Sequence, residues 1–157
     1  MSEALPQPRI GRSILAVLAG LVVGVALSIG TDIVLHAAGI FPPLGRLMAD
    51  SLLLLATAYR TIYSVLGAYI TARLAPNRPM QHALVLGALG LVVCLIGVVT
   101  TWNRVQEFGP HWYPIALTIL ALPQCWLGGK LFIMQSQSLP NVIKALTTPV
   151  DAKNSTR

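Results

Sequence analysis

The sequence predicts an all-α integral membrane protein, an antiparallel bundle of four spanning helices, and three observations carry that prediction. The 157 residues are 55% hydrophobic and 10% charged. Their mean hydropathy is +0.71. Long apolar runs alternate with short segments rich in proline, glycine and charge. A soluble domain carries about 25% charged residues, so too few are present here to cover a water-facing surface. Disorder of the whole chain is excluded by the same arithmetic, because disorder requires low hydrophobicity.

A spanning helix takes about 20 mostly apolar residues to cross about 30 Å of hydrocarbon. The first is expected at about 13–36, free of charge until Asp32. Arg9 and Arg12 ahead of it resemble the start of a secretory signal. The apolar stretch is too long for such a signal, however, and no small-x-small cleavage site precedes Asp32, which favours a retained anchor. Pro42 and Pro43 then break the chain.

The second span, about 51–73, is interrupted by Arg60. A central Arg costs about 2.5 to 3.5 kcal/mol on insertion, and each Leu, Ile or Val returns about 0.3 to 0.6. Leu52, Leu53, Leu54, Leu55, Ile62, Val65, Leu66 and Ile70 roughly cancel that cost, so the segment inserts marginally unless Arg60 finds a partner. The turn Ala75-Pro76-Asn77-Arg78-Pro79 leads to the third span, about 81–102, which holds no formal charge. Gly109 and Pro110 precede the fourth, about 112–131, which opens on Trp112 and Tyr113 and contains Pro123, a kink-forming residue. Residues 1–12 and 132–157 read as tails. The second is expected to be loosely ordered around Gln135 to Ser138, with Val142, Ile143 and Leu146 laying a short turn on the membrane surface.

Orientation follows from the positions of the basic residues. Arg9, Arg12, Arg73, Arg78, Lys130, Lys144, Lys153 and Arg157 fall on one side, against Arg46 and Arg104 on the other. The positive-inside rule therefore places both termini in the cytoplasm. Trp102, Trp112 and Tyr113 gather at the expected outer interface, where amphipathic rings prefer to sit. The net charge of +6 is scattered and forms no nucleic-acid-binding cluster, so the bilayer is the expected partner. Cys94 and Cys125 sit in apolar runs and make no disulfide framework.

Helices in lipid associate through close packing of small residues and through polar contacts. Gly20 and Gly24, Gly87, Gly90 and Gly97, and Gly128 stand on small-residue stripes of helical period and are expected at helix contacts. The second span carries the stripe Thr57, Arg60, Ser64, Gly67 and Thr71.

Arg60 is the foremost candidate for function, because intramembrane charges are rare and face the bundle interior. Asp32 and His36 lie one turn apart, a spacing that allows a carboxylate–imidazole pair to hold a proton or a cation, or to cap the helix. Asp32 is the preferred partner of Arg60, with Gln124 or Asp50 as substitutes. Depth decides the matter. A first helix entering at residue 13 leaves Arg60 about 13 Å below Asp32, out of reach, whereas one displaced to 17–39 brings them within roughly 6 Å. Asp50, Glu107 and His111 join His36 on the outer side and include metal-ligand types, but at no recognised spacing, so metal or haem is the weakest reading and no cofactor is expected. Tyr59, Tyr63 and Tyr69 are able to donate hydrogen bonds into the bundle. The chain holds no G-x-S-x-G elbow, no phosphate-cradling loop and no H-E-x-x-H.

Gly30-Thr31-Asp32 with His36, Tyr59-Arg60, Ala72-Arg73-Leu74-Ala75-Pro76 and Trp112-Tyr113-Pro114, set in four spans, resemble segments of the small four-span proteins of bacterial inner membranes. That resemblance implies a compartment and assigns no residue a role. The leading expectation is a non-enzymatic bundle acting by association, as a homo-oligomer or a subunit of a membrane complex. The alternative is a small proton- or ion-coupled transporter using Asp32, His36 and Arg60. A membrane metal or redox protein comes third.

Overall fold

The computed structural model describes residues 10–43, 45–105 and 109–147, with side chains up to residue 138. Among the described residues there are four long helices and no strands: α1 (Ile10–Ala37), α2 (Asp50–Leu74), α3 (Pro79–Thr101) and α4 (Trp112–Thr147). All four are long and apolar enough to cross a membrane. Sequence neighbours run antiparallel. The bundle therefore has a proximal end, where α1 begins and residues 75–78 turn, and a distal end holding the 38–49 and 102–111 connections.

Each terminus of a helix has a local cause. After α1 the chain reverses at Gly39, whose φ of +70° suits a residue without a Cβ. The amides of Gly39 and Ile40 return to the carbonyls of His36 and Leu35, which satisfies the end of the helix. Phe41 is thereby tucked under the distal end, 4% exposed, against Ala56 and Tyr59. Helix α3 starts on Pro79, whose missing N–H costs nothing in the first turn.

The C-terminal region departs from expectation. Helix α4 continues through Pro123 and past residue 131 to Thr147, so the stretch 135–138 is helical instead of loose. No glycine or proline stands between Lys130 and Leu139 to end it. Ser136 and Ser138 return their hydroxyls to the carbonyls of Ile133 and Gln135, which hides their polarity inside the helix. Tyr69 of α2 donates a hydrogen bond to Gln135.

Round the bundle the order is α1, α2, α4, α3, with α2 and α4 running parallel and α1 meeting α3 only lightly. Missing side chains set the tight crossings. A Cβ at Gly20 would stand 2.0 Å from Thr71 Oγ1 and 2.3 Å from the Gly67 carbonyl, so α1 and α2 touch through their backbones. Gly128 lies equally close to the Val65 carbonyl and joins α4 to α2. A Cβ at Gly87 would come within 2.9 Å of Cys125 Cβ, and one at Gly129 within 2.9 Å of Ala83 Cβ, which joins α3 to α4. Gly24 is less critical, with ordinary contact to the Tyr63 carbonyl at 3.5 Å.

Two expectations need correction. A Cβ at Gly90 or Gly97 would meet nothing within 4 Å, so neither glycine marks a helix contact. The reason is divergence. In α1 the buried residues are Ala16, Val17 and Gly20, and in α3 they are Ala83, Leu86 and Gly87, all toward the proximal end. There Val17, Ala68, Ala72, Ala83, Leu86 and Cys125 form one apolar cluster. Beyond it α1 and α3 separate, and Gly90 and Gly97 on the α3 stripe face open space.

Candidate functional site

The gap left by α1 and α3 is a cavity of about 480 Å³ that all four helices line. Leu21, Val25, Leu89 and Val93 give it apolar walls, and Asp32, Arg60 and Gln124 bring polar groups to it. A cavity of this size falls within the range of about 300 to 1,000 Å³ typical of small-molecule sites.

The register of α1 against α2 builds the polar group. Gly20 beside Gly67 and Gly24 beside Tyr63 fix that register. Asp32 then stands about five residues, or roughly 7.5 Å, distal to Arg60 along the helix axis. An extended Arg side chain covers that distance. Arg60 Nη2 donates to Asp32 Oδ2 at 2.5 Å, and the two side chains remain 35% and 25% exposed. The Tyr59 hydroxyl donates to the other carboxylate oxygen, Asp32 Oδ1. Both oxygens of Asp32 are thus engaged. Arg60 Nε, by contrast, is buried and has no hydrogen-bond partner. A second polar contact lies alongside, where Thr31 Oγ1 and the Tyr63 hydroxyl are 3.0 Å apart.

The remaining sequence candidates divide. Gln124 lines the same cavity from α4. His36 does not join the carboxylate: its Nδ1 donates to the backbone carbonyl of Asp32 at 2.8 Å, and its ring packs edge-on against Phe41. The expected carboxylate–imidazole pair is not formed, because the rotamer that closes onto the preceding turn takes the imidazole away from Asp32's side chain. Asp50 is engaged elsewhere, accepting from Trp112 Nε1 at 3.1 Å near the distal end. His111 is held by the Trp102 carbonyl at 2.9 Å and stacks on the Trp102 ring. Glu107 lies outside the described residues. Among the described residues, no three His, Cys, Asp or Glu side chains converge on a common metal position.

Two features were not legible in the sequence. Cys94 and Gly90 read from sequence as members of a packing stripe, yet both line the cavity. The other is Gly129, which stands beside Gly128 at a helix contact outside the cavity. Adjacent positions on a helix point about 100° apart, so a Gly-Gly pair is able to serve two neighbouring helices at once, here α2 and α3.

Chemically, the arrangement combines a charge-neutral ion pair, spare hydrogen-bond donors and an apolar chamber at membrane depth. It presents no activated nucleophile and no acid–base pair held against a reacting centre. No family model matches the chain, and no curated protein or solved structure does either.

Proposed function

We propose that this chain is a membrane-embedded binding protein, working as a carrier or as a subunit of a membrane complex, whose activity resides at the Asp32–Arg60 pair. One observation carries the reading. The pair lines the cavity, and a quarter to a third of each side chain remains exposed. Charged groups in the membrane interior are costly, and they mark substrate or ion pathways when they face a cavity. The transport reading survives in reduced form, since Asp32 and Arg60 belong to it and His36 does not.

The resemblance to small four-span proteins supports a bacterial inner membrane, and the positions of the basic residues support both termini in the cytoplasm, which makes the proximal end cytoplasmic and sets the cavity in the outer half of the bilayer. Association also has an observation in its favour. The exposed distal halves of α1 and α3 leave the ring of helices incomplete on one edge, where a helix of a second copy or of another membrane protein would close it.

The test is native mass spectrometry of the full chain released from lipid nanodiscs, combined with flux measurements in proteoliposomes. Binding predicts a bound small molecule, or solute flux, that is lost in Asp32→Asn and Arg60→Gln while the helical signal persists. A fixed oligomer with an empty cavity and unaltered properties in both variants would leave association as the function.

A further inference from the structure

The geometry points to the class of molecule that the cavity takes: a neutral, lipid-soluble guest whose polar end carries a carbonyl oxygen, entering sideways from the bilayer between α1 and α3. This rests on the binding reading above and specifies its ligand.

Access comes first. The proximal end is closed by Val17 of α1 packed with Ala83 and Leu86 of α3. The distal end is covered by Phe41, Tyr59 and Ala56 with Met48 and Tyr113 around them. The diverging α1–α3 edge is a way in, and it faces hydrocarbon. A guest arriving there must dissolve in lipid.

Depth and charge define the polar end. Arg60 is ten residues into α2, about 15 Å from its distal end, and its guanidinium reaches back toward that end to meet Asp32, itself about 7.5 Å below the distal end of α1. A phospholipid headgroup would have to leave its interface to arrive there. Asp32 already neutralises Arg60. An anionic guest would therefore add an uncompensated charge far from water, which is costly. A neutral head avoids both penalties.

Hydrogen bonding supplies the last term. Each Asp32 oxygen already accepts one bond, from Tyr59 or Arg60, so part of the site's acceptor capacity is spent. Donors are left over, namely the N–H groups of the Arg60 guanidinium beyond its bond to Asp32, a third of that side chain being exposed, while the amide of Gln124 on the cavity wall donates and accepts alike. A carbonyl oxygen complements that surplus, and a hydrocarbon tail complements Leu21, Val25, Leu89 and Val93.

The test uses 4-decylbenzophenone, a neutral ketone that is also photoreactive, with the full chain in nanodiscs. Crosslinks are mapped by mass spectrometry in the presence of tridecan-2-one, tridecane or decyl phosphate as competitors. Gly90→Leu fills the cavity from a position where a side chain meets no atom within 4 Å. Gly97→Leu adds the same side chain to the same helix outside the cavity. The expected result is labelling of Leu89, Val93 and neighbours, competed about tenfold better by the ketone than by the alkane, the difference one hydrogen bond to a charged donor makes. Labelling falls by about tenfold in Gly90→Leu and in Arg60→Gln, and it is unchanged in Gly97→Leu. If decyl phosphate competes best, or ketone and alkane compete equally, the assignment of the head is overturned while the binding site stands. Labelling spread over the lipid-facing residues and indifferent to Gly90→Leu overturns both readings.

Discussion

The Asp32–Arg60 pair is the sharpest place to perturb this protein. Removing either charge leaves the other alone at membrane depth, and the expected cost follows from how far each is covered. A fully buried pair broken on one side loses about 3 to 5 kcal/mol. Here the side chains are 35% and 25% exposed, so the figure is discounted to about 1 to 3 kcal/mol for Asp32→Asn or Arg60→Gln. Asp32→Asn is the milder change, because the amide oxygen still accepts from Tyr59. The double variant has no orphaned charge, and its cost falls short of the sum of the single changes by about 1 to 2 kcal/mol. Unfolding by a graded detergent mixture, followed through the tryptophans at positions 102, 112 and 126, reads these differences directly. Strict additivity of the two changes would refute the argument, since it would mean that the side chains do not meet in the bilayer.

Three further outcomes follow from the packing and from the placement of the charges. Gly20→Ala forces α1 away from Gly67 and Thr71 and costs about 1 to 3 kcal/mol, whereas Gly97→Ala changes stability by less than about 0.5, both by the same unfolding assay. The usual gain of alanine over glycine is small here, because a spanning helix remains helical when the bundle opens. Tyr59→Phe removes one hydrogen bond to the carboxylate and costs about 1 to 2 kcal/mol, while Tyr69→Phe, at the exposed contact with Gln135, costs less than about 0.5. A reporter fused after Arg157 reads as cytoplasmic, and activity of an externally oriented reporter at that position would reverse the topology.

Much of the helical plan was legible because a bilayer restricts the choices. Every backbone polar group in hydrocarbon must be satisfied within its own segment, so a long apolar run has to be a helix. Proline and glycine then mark the turns, as at Gly39 and Pro79. The far end of α4 is helical even though its polarity reads as a loose tail. Gln135, Ser136 and Ser138 are polar, yet two of them return hydrogen bonds within the helix and the third is met by Tyr69. Close packing was half legible. Gly20, Gly87 and Gly128 sit at crossings, but Gly90 and Gly97 follow the same period and touch nothing. Period tells which residues share a face, and it does not tell whether a neighbouring helix stays alongside for the whole length.

The sequence by itself determined that four segments cross a membrane, that their small residues line one face of each, and that Arg60 requires company, because those conclusions depend on composition and spacing alone. Tertiary structure decided which company. The Gly20–Gly67 crossing sets the register that lowers Asp32 to within reach of Arg60, while the rotamer of His36 takes it out of the group. It also decided that α1 and α3 part company above Val17, which turns two packing stripes into the walls of a cavity. Register and divergence are properties of pairs of helices in contact, and no single helix carries them in its own sequence.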